Sequence, residues 1–238
     1  MRVTVCQWPN TRDGIARAWD ALIAHVRAQS SELVLLPEMP FFPWLAASRE
    51  FDAARWAAAV KAHQDWEARM PEAGGLAVLG TRPYTFGNER ISAGFVWEAT
   101  TGCRAAHANS CIRNEQGAWE QAWYAAATPE FTPVQVGPAE LGFLIGTELW
   151  DEREAVRYGE AGVQFLITPR TSTVATQEEW LAAGSDAAVR AGAFGLSSNR
   201  VDDSGTYAGR GWIVAPDGEL LACTTPEEPF ATLEVETR

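Results

Sequence analysis

Lysine is almost missing from this chain. Lys61 stands alone among 19 basic residues, so chemistry that needs a buried ammonium has a single candidate for it. Histidine is also scarce, and His25, His63 and His107 are too dispersed in sequence to suggest a metal site. The four cysteines (Cys6, Cys103, Cys111, Cys223) lack Cys-x-x-Cys spacing, which argues against zinc and reads as free thiols. No apolar run is long enough to span a bilayer. The first seven residues lack the apolar core of a signal peptide, and the expectation is a cytoplasmic protein with no membrane partner. Basic charge is outweighed to a formal net −12, which argues against a nucleic-acid partner. No phosphate loop and no Ser-His-Asp order is visible, and no cofactor or metal is expected.

The hydrophobic fraction, 47% of 238 residues, suffices for one large α/β domain over residues 1–238. Val3–Trp8 reads as a strand. Gly14–Gln29 carries Ile15, Trp19, Leu22, Ile23 and Val26 at helical spacing. Glu32–Pro37 is an apolar strand, as for a sheet covered on both faces, and it delivers Glu38 at its carboxyl end. A helix is expected over Phe51–Met70, a strand over Leu76–Gly80, and a hairpin from Ile91–Glu98 and Cys103–Ala108. Asn109–Ala127 reads as irregular. The apolar run Leu141–Ile145 stops at Gly146, and a polar helix follows to Glu160. Val163–Thr168 is a strand, and Thr176–Gly195 a helix with Thr176 as its cap. Short strands follow at Leu196–Arg200, Gly211–Ala215, Glu219–Cys223 and Phe230–Val235. Alternating strands and helices, then hairpins, imply a layered α/β architecture.

Loops at the carboxyl ends of strands build sites in such folds. Three stand out: Leu35-Leu-Pro-Glu38, the segment from Asn109 to Glu120, and Gly146-Thr-Glu-Leu-Trp150. With Gly162–Arg170, Ser198-Asn-Arg200 and Gly209–Gly218, these resemble, in order and over essentially the whole chain, the nitrilase or carbon–nitrogen hydrolase superfamily. The resemblance implies a four-layer α-β-β-α sandwich that pairs into a homodimer. It also implies a pocket for a small nitrogen-containing molecule. There a cysteine thiolate attacks carbon, a glutamate acts as base and a lysine stabilises the developing charge.

This chain departs from that pattern at two of the four positions. Glu38 matches the base and Glu120 the second glutamate, but Gly146 stands where the nucleophile belongs and Asn109 where the lysine does. Lys61, mid-helix and far from any strand end, does not replace it. Breaking a catalytic unit of this kind costs on the order of 10⁶-fold in rate, so a thioester route is not expected. Acid–base chemistry through Glu38 and Glu120 is the leading expectation, since two carboxylates without the lysine between them raise a pKa towards neutrality. Cyclisation, elimination and direct C–N hydrolysis all fit it. A pseudoenzyme that binds a ligand or partner subunit, and an amidase with Cys111 as relocated nucleophile, are the alternatives. The substrate is expected to touch Asn109, Gly146 and Thr147, and aromatic walls from Trp119, Trp123 and Trp150 with Trp44 nearby. Arg170 is read either as a clamp for a ligand carboxylate or as a structural ion pair. Glu148 is expected to pair with an arginine.

Overall fold

The computed structural model describes residues 1–115, 117–207 and 209–236. Two half-sheets cross at one seam. The first runs, in spatial order, β5 (Gly102–Ala108), β4 (Glu89–Glu98), β3 (Ala77–Phe86), β2 (Leu33–Leu35), β1 (Arg2–Pro9) and β12 (Phe230–Glu234). The second runs β6 (Val134–Val136), β7 (Ala139–Phe143), β8 (Phe165–Pro169), β9 (Phe194–Val201), β10 (Trp212–Val214) and β11 (Leu220–Cys223). They join where the ends of β1 and β9 pair in parallel, Gln7 with Asn199 through Pro9 with Val201. Ser198 holds this seam: its hydroxyl donates to the Leu35 carbonyl at 2.6 Å and accepts the Cys6 N–H at 2.9 Å.

Three apolar layers follow from the strand pattern. Val3, Val5, Leu33, Leu35 and Leu79 face Leu141, Phe143, Phe165, Ile167 and Leu196 between the sheets. On one outer side, Trp19, Leu22 and Val26 of helix α1 (Arg12–Gln29) pack on Val34, Leu36 and Val78. On the other, α4 (Glu152–Glu160) and α5 (Gln177–Ala191) bury Ala155, Tyr158, Trp180 and Ala188 against Leu166 and Val214. The strands that read as continuous apolar runs are those with a layer on both faces. The result is the expected α-β-β-α sandwich. Among the described residues, no helix is long and apolar enough to cross a membrane.

Local chemistry moves several boundaries. Helix α2 (Ala53–Trp66) starts behind an Asp52 cap and tightens into a 3₁₀ segment, Glu67–Ala73, ahead of the expected end at Met70. Pro71, lacking an N–H, sits in that segment. Helix α5 stops at Ala191 rather than Gly195, because Gly192 takes the left-handed cap conformation (φ 59°) and releases the chain into β9. Thr176 precedes α5 but makes no side-chain cap. Strand β3 runs six residues past the expected Gly80, through Pro83, and pairs with β4 from Val78/Trp97 to Phe86/Glu89. The stretch read as irregular contains a helical turn, α3 (Glu120–Trp123), that opens on Glu120.

Candidate active site

Glu38 leaves β2 at the seam between the sheets and is 1% exposed. The turn after it is held from below by Arg200, whose guanidinium donates to the carbonyls of Glu38 (2.9 Å), Met39 and Phe42 (2.8 Å) and to Asn10 Oδ1 (2.9 Å). Thr81 accepts the Met39 N–H at 2.9 Å. The carbonyls of Glu38, Met39 and Phe42 and the Met39 N–H are therefore tied down, while the Glu38 carboxylate oxygens have no close hydrogen-bond partner among the described residues, the Thr171 backbone being the group that approaches them. Those oxygens face Gly146: a Cβ built there would lie 3.4 and 3.5 Å from Oε2 and Oε1, ordinary contact distance. Gly146 sits at φ 51°, a left-handed elbow that strains any residue with a side chain.

The elbow is pinned to the end of β5. Thr147 Oγ1 donates to the Cys111 carbonyl. Glu148 accepts from His107 Nε2 (2.8 Å), from the Ser110 N–H (2.7 Å) and hydroxyl (2.8 Å), and from the Ile145 N–H (2.8 Å). Glu148 is thus a positioning residue, paired with a histidine and not with the expected arginine. Asn109, fully buried between these contacts, accepts the Cys111 N–H on Oδ1 at 3.0 Å. That donor fixes the amide orientation, so Nδ2 is the atom left without a partner.

Glu120, 3% exposed, opens α3 with Oε2 unpartnered, and the Tyr124 hydroxyl four residues on is buried and unpartnered too. Burial raises the Glu38 carboxyl well above its ordinary range, the Glu120 charge adds to this, and the Arg200 cation opposes it. Burial, then the Glu115 charge, lifts Glu120 to about 8. Tyr124 is pushed up by burial and then by both glutamates, which places its hydroxyl within their field. Polar atoms buried in this way are costly unless a partner reaches them. Glu38 faces the elbow, and Glu120 and Tyr124 lie within its field.

The Carbon-nitrogen hydrolase family profile matches residues 2–236. This chain belongs to the carbon–nitrogen hydrolase family. An amidase, NitN, from Nesterenkonia sp. AN1 superposes with TM-score 0.82 at 16% identity, covering 99% of this chain and 93% of the amidase. A carbon–nitrogen hydrolase from Helicobacter pylori G27 superposes with TM-score 0.83 at 17% identity, covering 98% and 89%. At these identities the superpositions show the fold. No curated protein sequence matches the chain.

Within the family fold, two expected ligand contacts are spent elsewhere. Arg170 is fully buried and donates through Nε to Ser197 Oγ (2.9 Å), through Nη1 to Ser172 Oγ and through Nη2 to the Arg210 carbonyl (2.7 Å). It makes no salt bridge among the described residues, so its guanidinium ties β9 to the segments of Ser172 and Arg210 instead of clamping a carboxylate. Trp150 stands edge-on to Trp180, centroids 5.2 Å apart, and packs with the outer helical layer. Trp123 is fully buried in an aromatic cluster with Met39, Phe42, Trp44, Trp56, Tyr124 and Tyr207, and its indole N–H donates to the Ser48 carbonyl at 2.8 Å. Trp119 lies under the Arg49 guanidinium, 4.2 Å from its ring centroid. Lys61 pairs with Asp65 on the exposed face of α2. Sequence reasoning missed Tyr124 and Glu115. The hydroxyl of Tyr124, between buried Trp123 and the β4 edge (Ala125 N–H to the Arg90 carbonyl, 2.7 Å), was its only signal.

Proposed function

We propose that this chain keeps the family pocket but acts on a small nitrogen-containing molecule by proton transfer, without a covalent intermediate. The observation that carries this reading is the pair of buried carboxyls of Glu38 and Glu120, both raised by burial, with Glu38 facing an elbow that carries no side chain. Glu120, lifted to about 8, is in the range a general acid or base needs near neutral pH, and the same causes raise Glu38. Glu38 faces the position where the family places its reacting carbon and is assigned proton transfer. Glu120 lies within the field of Glu38, so ionising one of the pair opposes ionising the other. Tyr124 and Asn109 Nδ2 supply donors to the bound molecule. A structure of a glutamate-to-glutamine mutant of the Nesterenkonia sp. AN1 amidase shows acrylamide added to its active-site cysteine; with Gly146 at the position matched to the family nucleophile, this chain has no such atom to offer. Cyclisation, elimination and direct C–N hydrolysis are the reaction types compatible with these groups.

The burial of Glu38 and Glu120 also suits a second reading, a binding protein of the family fold in which the same groups hold a ligand without turnover. NMR-monitored turnover of small amides, nitriles, N-carbamoyl compounds and amino-nitrogen metabolites separates the two. Turnover abolished in Glu38→Gln and retained in Cys111→Ala supports proton transfer. Loss in Cys111→Ala points to a relocated thiol nucleophile, and ligand binding with no turnover in the native chain selects the binding protein. By analogy with family members, we further propose that the chain works as a homodimer in the cytoplasm.

A further inference from the structure

The charge balance of the site is uneven. Glu38 and Glu120 lie in one field, and Glu115, on the loop that turns back at Ala118, contributes to both. The nearest cation, Arg200, is committed to the carbonyls of Glu38, Met39 and Phe42 and to Asn10, leaving only its Nε unpartnered. Arg55, the other cation within reach of Tyr124, donates to the Trp44 carbonyl at 3.1 Å. Lys61 is on the surface. The chain therefore gathers carboxylates and provides no free ammonium among the described residues to meet them.

The shape is consistent with the charge. Relative to the family pattern, Asn109 is shorter than lysine by part of an alkyl chain and its ammonium, and Gly146 lacks the cysteine side chain facing Glu38. On Glu38, Glu120, Tyr124 and Asn109 the unpartnered atoms are Glu38 Oε1 and Oε2, Glu120 Oε2, the Tyr124 hydroxyl and Asn109 Nδ2, each on a side chain more than nine-tenths buried. Four of the five can accept a hydrogen bond, so the complement is a compact, multiply donating head. Among the described residues no three His, Cys, Asp or Glu side chains converge tightly enough to hold a metal ion. An organic cation satisfies both requirements.

We infer that the site binds a small organic cation, a primary ammonium, amidinium or guanidinium, whose charged head lies between Glu38 and Glu120 where the family places its lysine. The ligand thereby restores the charge the chain has lost. An ionised carboxylate accepting such a head makes charge-assisted, and for a guanidinium bidentate, hydrogen bonds. This inference rests on the assignment of Glu38 and Glu120 as the functional pair.

The test is a calorimetric titration of the full chain with two isosteres, N-propylguanidinium and N-propylurea, in a buffer free of amines. The cation should bind at least about tenfold more tightly than the urea, a preference of roughly 1.4 kcal/mol. Glu120→Gln should shrink the preference to within about threefold. Asn109→Lys should abolish cation binding by supplying the head from the chain, while its circular-dichroism spectrum and urea midpoint show that the fold is kept. Equal binding of both probes, binding of neither, or cation binding that survives Asn109→Lys overturns the inference. Turnover that requires Glu38 in the same preparations would leave the proton-transfer reading standing even then, so the two fail separately.

Discussion

Replacing Glu120 by glutamine should flatten the dependence of stability on pH. Glu120 is buried, and its carboxyl moves from an ordinary 4.5 to about 8 on folding, chiefly because burial disfavours its charge. A group raised on folding contributes fully below its unfolded pKa, and that contribution is lost as pH climbs through the folded value. The window is therefore about pH 4.5 to 8, with stability falling as pH rises. At about 1.4 kcal/mol per pH unit, the gap amounts to roughly 5 kcal/mol as an upper bound, because water entry and relaxation reduce it. Glu38 is raised by the same causes and adds to the slope, so the pair behaves as one system with two macroscopic steps. Glu120→Gln removes one titrating group and its charge on Glu38. The assay is urea unfolding at intervals from pH 5 to pH 9 in phosphate and borate, without amines. The native chain should lose at least about 2 kcal/mol more than the variant between pH 5 and pH 8. For a chain of this size, that corresponds to roughly 4–8 °C in Tm. Parallel curves, within about 0.5 kcal/mol, would refute the claim that Glu120 is buried without a compensating cation.

Two further substitutions probe the frame and the lost chemistry. Arg200→Met should cost about 3–5 kcal/mol, because it strips three hydrogen bonds from the turn that carries Glu38 and one from Asn10, leaving buried carbonyls unpaired; chemical unfolding reads this directly. Gly146→Cys combined with Asn109→Lys should create a thiol beside Glu38 that adds acrylamide, visible by intact mass at the new cysteine, at an elbow cost of about 1–2 kcal/mol. The native chain should form no adduct at position 146, where it carries no thiol, and none at Cys6, which is buried with its thiol pushed up to about 12.

What could be read from the sequence was what the backbone decides locally. The apolar run ending at Gly146, the strand that delivers Glu38 and the one-faced helix α1 each follow from periodicity and turn chemistry over a few residues. The closing segment Ser198-Asn-Arg200 was legible as a motif, but its work was not. Ser198 reaches Leu35, Asn199 reaches Ser172 and Gly209, and Arg200 reaches back to Met39, contacts that span up to 163 positions. Partner choice for charged groups was the least legible. Arg170 and Glu148 both carry the charge of a ligand clamp or an ion pair. The structure surrounds Arg170 with hydroxyls and a carbonyl and gives Glu148 a histidine, a hydroxyl and two backbone N–H groups. Trp150 shows the same limit: an aromatic next to the elbow can turn inward or outward, and the facing Trp180 on α5 takes it outward. Tyr124 escaped notice because its importance lies in which carboxyls its hydroxyl meets.

The most direct test of the central claim is the ¹³C titration of the Glu38 and Glu120 carboxyl carbons by NMR, assigned with the two single glutamine variants. At least one carboxyl should titrate near neutral pH in the native chain, and Asn109→Lys should return it to the ordinary carboxylate range. Both carboxyls titrating in the ordinary range in the native chain would contradict that claim.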